Sequence, residues 1–527
     1  MLYRLCMACL LALVSVGAHA LDAAAMRAIA TGDNDARIAA LQQGVSRADP
    51  QLVTFVQALL DEQVKFNADH VFIVRDGKAI DAATGQPMTL PEGVEDPINN
   101  NRMRRELEAA MAALKLFSPD AGTRGKAIAE LRDQADESRL PLVEKAEAQE
   151  TDPRLKAQLG LLRAAVQIGS PSKDKRLAAA GLLAGSDQPG TRSLLRERLA
   201  PGIETDPEVR GQLQLALSSV ESRLAWGEGL GVAFTGASLG SILLLVALGL
   251  AITYGLMGVI NMAHGELMMI GAYATYVVQN LFRAHLPAAA FDWYIVAAIP
   301  AAFLASAFVG GVLERSVIRW LYGRPLETLL ATWGISLVLM QAVRSIFGAQ
   351  NVRVENPSWL SGGVDVMSNL TLPYNRIAIL VFAGLVLAGV ALLIARTRLG
   401  LFVRGVTQNR RMAACMGVNT VRVDMYAFAL GAGIAGLAGC ALSQVGNVGP
   451  DLGQGYIVDS FMVVVLGGVG QLAGTVYAAL GLGIINKLLE GWAGAVLAKI
   501  MVLVFIVVFI QKRPQGLFAL KGRSAEA

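Results

Sequence analysis

Three polar side chains of different chemistry lie close together in the sequence at Asn261, His264 and Glu266. An amide, an imidazole and a carboxylate between two apolar runs could line or gate a path for a polar solute, because such groups are costly near a membrane interior. The same residues also fit ordinary helix ends, with Asn261 as a cap and Glu266 in a first helical turn. The sequence leaves both interpretations open, and Asp459 is a further candidate for the path.

A glycine pattern could indicate nucleotide chemistry instead. Gly431, Gly433 and Gly436 have the G-x-G-x-x-G spacing of a dinucleotide-binding turn. They lie inside the apolar run 425–443 with no βαβ pattern around them, so close packing of membrane helices is the favoured interpretation. The P-loop pattern G-x-x-x-x-G-K followed by Ser or Thr does not occur in the sequence. Any energy for uphill transport must therefore come from another subunit or from an ion gradient.

The other reactive residues form no recognisable site. The histidines are scattered along the sequence, and the C-x-x-C pair Cys6 and Cys9 lies within the first 20 residues, which have the features of a discarded leader, so we predict no metal centre. Residues 21–225 contain no cysteine and no paired nucleophile and base, so we predict neither a cofactor nor an enzyme activity. A net charge of +4 over 527 residues gives no basic face for nucleic acid.

The loop at residues 396–423 is long, basic and not apolar. It predicts a short helix from Arg410 to Gly417, with the two arginines facing outward and small residues where a partner's backbone approaches closely. If the loop were only a solvated anchor for membrane topology, it would need positive charge but no short helix. A helix that docks on a cytoplasmic partner explains both the helical pattern and the glycine at its end. The residues assigned to this docking segment are Gln408, Arg410, Arg411, Ala413, Ala414 and Gly417.

The composition differs between the two parts of the chain, and most of these candidate residues lie in the second part. The chain is 54% hydrophobic and only 17% charged, but the charge is uneven. Residues 1–225 contain 27 Lys and Arg and 30 Asp and Glu, while residues 226–527 contain 19 and 12. The second part is therefore charge-poor and has the composition of a membrane protein.

Apolar runs divide the second part into predicted membrane spans. They cover 237–258, 265–283, 294–314, 326–347, 377–395 and 424–445, followed by a glycine-rich stretch at 457–511. We predict an all-α polytopic membrane protein of eight or nine transmembrane helices over 226–520, because the last stretch is long enough for one or three crossings. Basic residues concentrate in the loops predicted to be cytoplasmic, which places the N-terminal part outside and the C-terminal tail, 521–527, inside.

The N-terminal part has the signs of an exported domain. Residues 1–20 combine Arg4, a short apolar stretch and Ala18-His19-Ala20, which predicts a cleaved signal peptide rather than a first transmembrane helix. Residues 21–225 are predicted to form a mostly helical periplasmic domain with a small β-hairpin around Asp76-Gly77. The helix start Thr151-Asp152-Pro153 recurs at 205–207, which suggests stacked, HEAT-like helical hairpins with a structural or docking role.

Four segments resemble a known family. They are LGLAITYGLMGVINMAHGE at 248–266 with GAY at 271–273, the loop at 400–419, DSFMVVVLGG at 459–468 and KRPQGLF at 512–518. In the same order, these segments resemble the branched-chain amino acid (LIV-type) permeases of ABC importers, over about residues 230–520. A long exported domain ahead of the permease resembles the first permease subunit of the urea-importer branch.

The resemblance implies a subunit of the bacterial inner membrane that forms a path for a small polar solute. The narrower likeness predicts urea, with branched-chain or other amino acids as the alternative. The implied partners are a second homologous permease subunit, two cytoplasmic ATPase subunits, a periplasmic substrate-binding protein and membrane lipid. The segment 408–417 would then be the coupling helix seated on an ATPase. A competing hypothesis of another class is an ion-coupled transporter or channel with an exported sensor domain.

Overall fold

The computed structural model describes residues 23–518 except 48–49, 68, 76–77, 92 and 133–139. The predicted signal peptide, 1–20, and the tail, 521–527, lie outside the described residues. The chain divides into two compact units with a boundary between Leu224 and Ala225.

The first unit consists of helices and one small sheet. Its helices are α1 Ala23–Ala30, α2 Asn34–Arg47, α3 Pro50–Leu60, α4 Asn101–Lys115, α5 Ala121–Arg132, α6 Leu140–Gln149, α7 Pro153–Gln167, α8 Lys173–Leu183, α9 Pro189–Arg198 and the start of α10 Pro207–Met257. The strands are β1 Val64–Phe66, β2 Val71–Arg75, β3 Lys78–Asp81 and β4 Pro87–Met88.

The predicted hairpin is part of a larger sheet. Strands β2 and β3 pair antiparallel with Ile73 opposite Ile80, as the sequence predicts. The turn residues 76–77 lie outside the described residues. Strands β1 and β4 extend the pair to a four-stranded sheet of order β1-β2-β3-β4. With three and two residues, these outer strands are too short to show an alternating pattern in the sequence.

The repeated helix starts belong to an arrangement that occurs twice. We call it a clamp: an arginine that pairs with the glutamate before the helix start and donates to the carbonyls of a Ser-Pro pair. Asp152 and Asp206 accept hydrogen bonds from the first amides of α7 and α10, at 2.8 and 2.9 Å. Ahead of α7, Arg124 pairs with Glu150 at 2.8 Å and donates to the carbonyls of a Ser-Pro pair, 118–119. Fifty-two residues later, Arg176 forms the same contacts with the Ser-Pro pair 170–171, and with Glu204 at 2.9 Å. The first unit therefore contains two copies of one helix-packing arrangement.

The second unit is helical apart from one short hairpin. Its helices are the rest of α10, α11 His264–His285, α12 Tyr294–Ser316, α13 Pro325–Phe347, α14 Tyr374–Arg396, α15 Arg398–Gln408, α16 Arg410–Cys415, α17 Thr420–Ser443, α18 Leu452–Gly467, α19 Leu472–Ala493 and α20 Ala495–Lys512. The strands β5 Gly363–Met367 and β6 Leu370–Pro373 form the hairpin.

Seven of the described helices are long and apolar enough to cross a membrane. They are Pro207–Gly255, Ala288–Trp320, Leu326–Phe347, Tyr374–Arg396, Thr420–Ser443, Leu472–Ala493 and Ala495–Lys512. Helix α18 is apolar but shorter, and α11 has 22 residues but is more polar. Counting one or both of them gives the eight or nine spans expected from the sequence, and that number stays a prediction. The architecture is that of a polytopic all-α membrane protein.

Glycines determine how these helices meet. A Cβ atom at Gly431 of α17 would lie 2.7 Å from the carbonyl oxygen of Gly249 in α10. A Cβ at Gly436 would collide with the backbone of α12, and one at Gly271 of α11 would collide with Gly436. The G-x-G-x-x-G pattern is therefore a surface on which α10, α11 and α12 all approach α17 closely.

Candidate functional site

The first candidate residues lie where the chain breaks between α10 and α11. Helix α10 ends at Met257, and the next residue, Gly258, has φ +65°, a conformation that glycine adopts without steric cost. Asn261 lies buried in the six-residue connection, where its side-chain oxygen accepts a hydrogen bond from the Ala263 amide at 3.1 Å. This bond closes a turn before the helix and does not cap it, because the N-cap of α11 is Ala263 and no side chain caps that end. The expectation that Asn261 is a helix cap is therefore wrong, and its amide nitrogen is buried without a partner among the described residues.

His264 connects α11 to Val246, which lies eleven residues before the end of α10. Its imidazole is fully buried, and Nε2 lies 3.1 Å from the carbonyl oxygen of Val246. A carbonyl can only accept, so Nε2 carries the hydrogen and the neutral ring presents an unprotonated Nδ1. Within the described part of the chain, that Nδ1 atom has no hydrogen-bond partner. The histidine is therefore a fixed contact between two packed helices.

Glu266 connects α11 to α13. The Ser336 hydroxyl donates to Glu266 Oε1 at 2.7 Å, while Oε2 is buried and no described residue partners it. One helical turn before Ser336, Thr332 Oγ1 accepts from the Met262 amide at 3.1 Å. Thr332 and Ser336 form a buried polar stripe on α13 that holds the α10–α11 connection in place.

The four predicted path residues do not form one cluster. Asn261, His264 and Glu266 contact their own turn, α10 and α13 respectively. Asp459 of α18 lies 3.4 Å from Lys499 of α20. Among the described residues, no hydrogen bond or ion pair joins Asp459 to the other three. Their assignment to a translocation path stays a prediction.

The docking segment is a short helix with defined ends. The side chain of Asn409 caps α16 by accepting from the Met412 amide at 2.9 Å. At the other end, Gly417 has φ +85°, and the Val418 amide donates to the Ala413 carbonyl at 3.1 Å. This is the glycine end that the sequence predicts, and the α-helical part closes at Cys415.

The orientation of one arginine differs from the sequence-based expectation. Arg411 is exposed, but the guanidinium of Arg410 pairs with Asp424 at the start of α17 and lies 5.3 Å from the ring centre of Tyr322. Asp424 is only 1% exposed, and a buried carboxylate needs a cationic or hydrogen-bonding partner. Arg410 therefore turns toward the protein rather than outward.

The small residues of α16 also divide into two groups. Ala413 is buried and packs against Val406 and Val423. Ala414 and Gly417 are exposed, and a Cβ at Gly417 would meet no atom within 4 Å. The face that a partner could approach therefore consists of Ala414 and Gly417, whereas Ala413 belongs to the packing within the chain.

A cavity of about 350 Å³ lies beside this segment. Gln408, the last residue of α15, lines it together with Arg404 and Thr407, and apolar residues of α10, α14 and α17 form the other walls. Gln408 is itself exposed, so it lies at the rim of this cavity.

Two contacting residues were not anticipated from the sequence. Tyr322 lies in the connection between α12 and α13, and its hydroxyl lies 3.0 Å from Oε1 of Glu314. Burial raises the pKa of the Tyr322 phenol, so its hydroxyl stays protonated and can donate. The sequence signal was the charge of Glu314 at the end of an apolar run. Within the described residues, no group of three or more His, Cys, Asp or Glu side chains could hold a metal ion.

The packed spans, the broken α10–α11 connection and the capped helix α16 define a polytopic membrane permease subunit. Residues 232–510 match the model of the permease component of branched-chain amino acid transport systems, and the chain belongs to that family. It is a transport subunit and not an enzyme.

Individual relatives agree with the family. The chain is 30% identical over 293 residues to the branched-chain amino acid permease protein LivH of Salmonella typhimurium, covering 54% of this chain and 93% of LivH. It is 29% identical over 288 residues to BraD of Pseudomonas aeruginosa, covering 54% of this chain and 93% of BraD. Its identity to LivM of Salmonella typhimurium is 27% over 307 residues, covering 53% and 68% of the two chains. No solved structure gives a significant match to the chain.

Proposed function

We propose that this chain is a permease subunit of a multi-component ABC importer of the bacterial inner membrane. Its partners are a second homologous permease, two cytoplasmic ATPase subunits, a periplasmic binding protein and the surrounding lipid. The observation that carries this proposal is α16, a capped short helix whose Ala414 and Gly417 face is open in a chain without a P-loop. Its likeness to both LivH and LivM supports a paired permease.

The proposed cargo is an aliphatic amino acid. The three relatives described above are all named as branched-chain amino acid permeases, and their names support this choice over the urea expected from the narrower resemblance. An amino acid carries both an ammonium and a carboxylate, so its path needs groups that can hydrogen-bond to each of them.

One observation keeps urea as a second candidate. The alignment with LivH covers 93% of LivH and only 54% of this chain, so LivH has no room for a counterpart of the N-terminal unit. A long unit ahead of the permease is the feature that suggested the urea branch. We propose that this unit is periplasmic and that the C-terminus is cytoplasmic, with the α16 segment on the cytoplasmic side.

Uptake measurements separate the two cargoes. A strain lacking this gene is complemented with the full chain, and uptake of labelled leucine and labelled urea is followed with each unlabelled compound as competitor. Restored leucine uptake that excess leucine abolishes supports the amino acid proposal. Restored urea uptake that leucine does not affect replaces it with the second candidate.

The ion-coupled hypothesis has its own test. The purified chain alone is reconstituted in liposomes under an imposed proton or sodium gradient. The ABC proposal expects no uptake of either solute until the second permease, the ATPases, the binding protein and ATP are supplied. Gradient-driven uptake by the chain alone would replace the ABC proposal with an ion-coupled transporter.

A further inference from the structure

Four side chains from separate segments meet behind the exposed helix α16. Arg410 of α16 pairs with Asp424 of α17, and its guanidinium stacks over the ring of Tyr322. The Tyr322 hydroxyl lies 3.0 Å from Oε1 of Glu314, near the end of α12, and 3.3 Å from Sδ of Met257. Met257 is the last residue of α10, directly before the broken connection that contains Asn261. We use the name inner cluster for Arg410, Asp424, Tyr322 and Glu314.

The charges of the inner cluster make it sensitive to the position of α16. Asp424 and Glu314 are 1% and 0% exposed, whereas the side chain of Arg410 is 42% exposed. If α16 moved outward, Asp424 would lose its cation and remain buried, which is unfavourable unless other groups rearrange. Glu314 cannot replace that cation, because two ionised carboxylates can only accept hydrogen bonds. One oxygen of Glu314 is itself without a partner among the described residues.

Tyr322 joins the charged side of the cluster to the end of α10. A phenol has one hydrogen to donate, so its hydroxyl can bond to either Glu314 or Met257 at a time, and the carboxylate is the stronger acceptor. The ring itself lies under the guanidinium of Arg410. A displacement of Arg410 therefore alters its contact with the Tyr322 ring directly. Through the contact of the Tyr322 hydroxyl with Met257, it then acts on the α10–α11 connection.

We propose that the inner cluster is the link through which movement of α16 reaches the α10–α11 connection, with Arg410 and Asp424 as positioning residues. The proposal rests on the proposed function, because it requires an ATPase to hold and displace α16. Helix α16 also packs through the small apolar patch of Ala413, Val406 and Val423. That patch holds α16 by apolar packing. It contains no buried charge, so no group in it would lose an ionic partner if α16 moved.

The test uses the complete complex in liposomes, with the second permease, both ATPases and the binding protein. The probe is labelled leucine, or labelled urea where the wild-type complex transports that instead. The variants are Arg410→Ala, Arg410→Ala with Asp424→Asn, and Tyr322→Phe. The control is Arg315→Ala, which removes an exposed arginine next to Glu314. Each complex is scored for ATPase co-purification and for solute transported per ATP hydrolysed.

If the inner cluster is the link, the Arg410→Ala complex should retain its ATPases. Its solute transported per ATP hydrolysed should fall about 5- to 30-fold, which is within the usual range of coupling energies. Tyr322→Phe keeps the ring under Arg410 but loses the hydroxyl, so its ratio should fall less. The double variant is decisive, because Asp424→Asn removes the unpaired buried charge. A pair that only stabilises the fold predicts recovery in the double variant, whereas a link predicts a ratio that stays low.

Three outcomes would overturn the proposal. They are a wild-type ratio in the double variant, loss of the ATPases from both Arg410 variants, and an equal fall in the Arg315→Ala control. These failures differ from a failure of the proposed function, in which the wild-type chain itself would neither bind ATPases nor transport the probe in an ATP-dependent way.

Discussion

Ser336 donates a hydrogen bond to Glu266 across 70 positions of sequence, with 2.7 Å between Ser336 Oγ and Glu266 Oε1. Both side chains are buried, and the other carboxylate oxygen of Glu266 has no partner among the residues that the structure describes. This single bond therefore ties the start of α11 to α13 and satisfies an acid that would otherwise be wholly unpaired.

Ser336→Ala should destabilise the protein because it leaves both oxygens of Glu266 without a hydrogen bond. We expect a loss of about 1–3 kcal/mol, the usual cost of a buried group that loses its partner. The measurement is thermal unfolding of the detergent-purified chain. Ser345→Ala is the matched control, because the Ser345 hydroxyl is exposed and bonds only within its own helix. Equal stability of the two variants would contradict this role for Ser336.

Gly436→Ala should damage the packing of the membrane helices. A Cβ at Gly436 would meet the Ala302 carbonyl and the side chain of Ser306, so α12 and α17 would have to separate. Overpacking of this kind typically costs about 1–3 kcal/mol or more. Gly384→Ala in α14 is the control, since a Cβ there meets no atom within 4 Å. The readout is the amount of folded, detergent-soluble chain, and similar amounts for both variants would count against the packing interpretation.

The membrane helices were predictable because their apolar runs are local signals. The runs at 294–314 and 326–347, for example, match α12 and α13. The stretch 457–511 was not predictable in detail, because its division depends on backbone angles at glycines. Gly468, Gly470 and Gly494, with φ of +98°, +80° and +82°, separate α18, α19 and α20. A sequence shows where such glycines are but not which of them break a helix.

The candidate site was only partly predictable, for a different reason. The N-cap Asn409 and the glycine end at Gly417 lie within α16 and its flanks, so the sequence pattern predicts the helix correctly. The partner of Arg410 depends on tertiary contacts with Tyr322 and Asp424, which lie 88 positions before it and 14 positions after it. Periodicity carries no information on such pairs, which is why Arg410 was expected to face outward.

Acid should weaken the first of the two clamps in the N-terminal unit. Hydrogen bonds from the Arg124 guanidinium hold the pKa of Glu150 below its ordinary value. Since the folded-state pKa is the lower one, the stabilisation is fully present above the unfolded-state pKa. It is lost as the pH falls through the folded-state pKa. We expect strong amide protection in α5–α7 at pH 7 and weaker protection, relative to the intrinsic exchange rate at each pH, below about pH 4, near the ordinary pKa of a glutamate.

Glu150→Gln provides the matching variant for this prediction. It keeps the shape of the side chain but cannot form the charged pair, so α5–α7 should lose protection at pH 7 by about 1.5–3 kcal/mol. Hydrogen exchange of the full chain in detergent measures both effects. Because the variant has no carboxylate to protonate at this position, its amide protection should change less than that of the wild type when the pH is lowered from 7 to below about 4. An equal pH response of both proteins would contradict the assignment.

The last prediction concerns the open face of α16. Ala414→Trp should block docking of an ATPase, because Ala414 is exposed on a helix whose other small residue, Ala413, is already packed against Val406 and Val423. The substitution places bulk on the surface and touches no span, so the chain should insert normally and still associate with a second permease. The ATPase subunits should be lost on purification, and uptake should fall with them.

Two comparison variants make this result specific to the open face. Ala413→Trp should instead reduce the amount of folded chain, because a large ring does not fit the buried position. Gly417→Trp adds strain, since its φ of +85° is unfavourable for a side chain, so Ala414→Trp is the cleaner variant. If α16 were only a positively charged anchor, Ala414→Trp would leave transport unchanged, because membrane topology depends on Lys and Arg charge and not on small side chains. Normal co-purification of the ATPases with Ala414→Trp would therefore refute the docking role of α16 while leaving the family assignment intact.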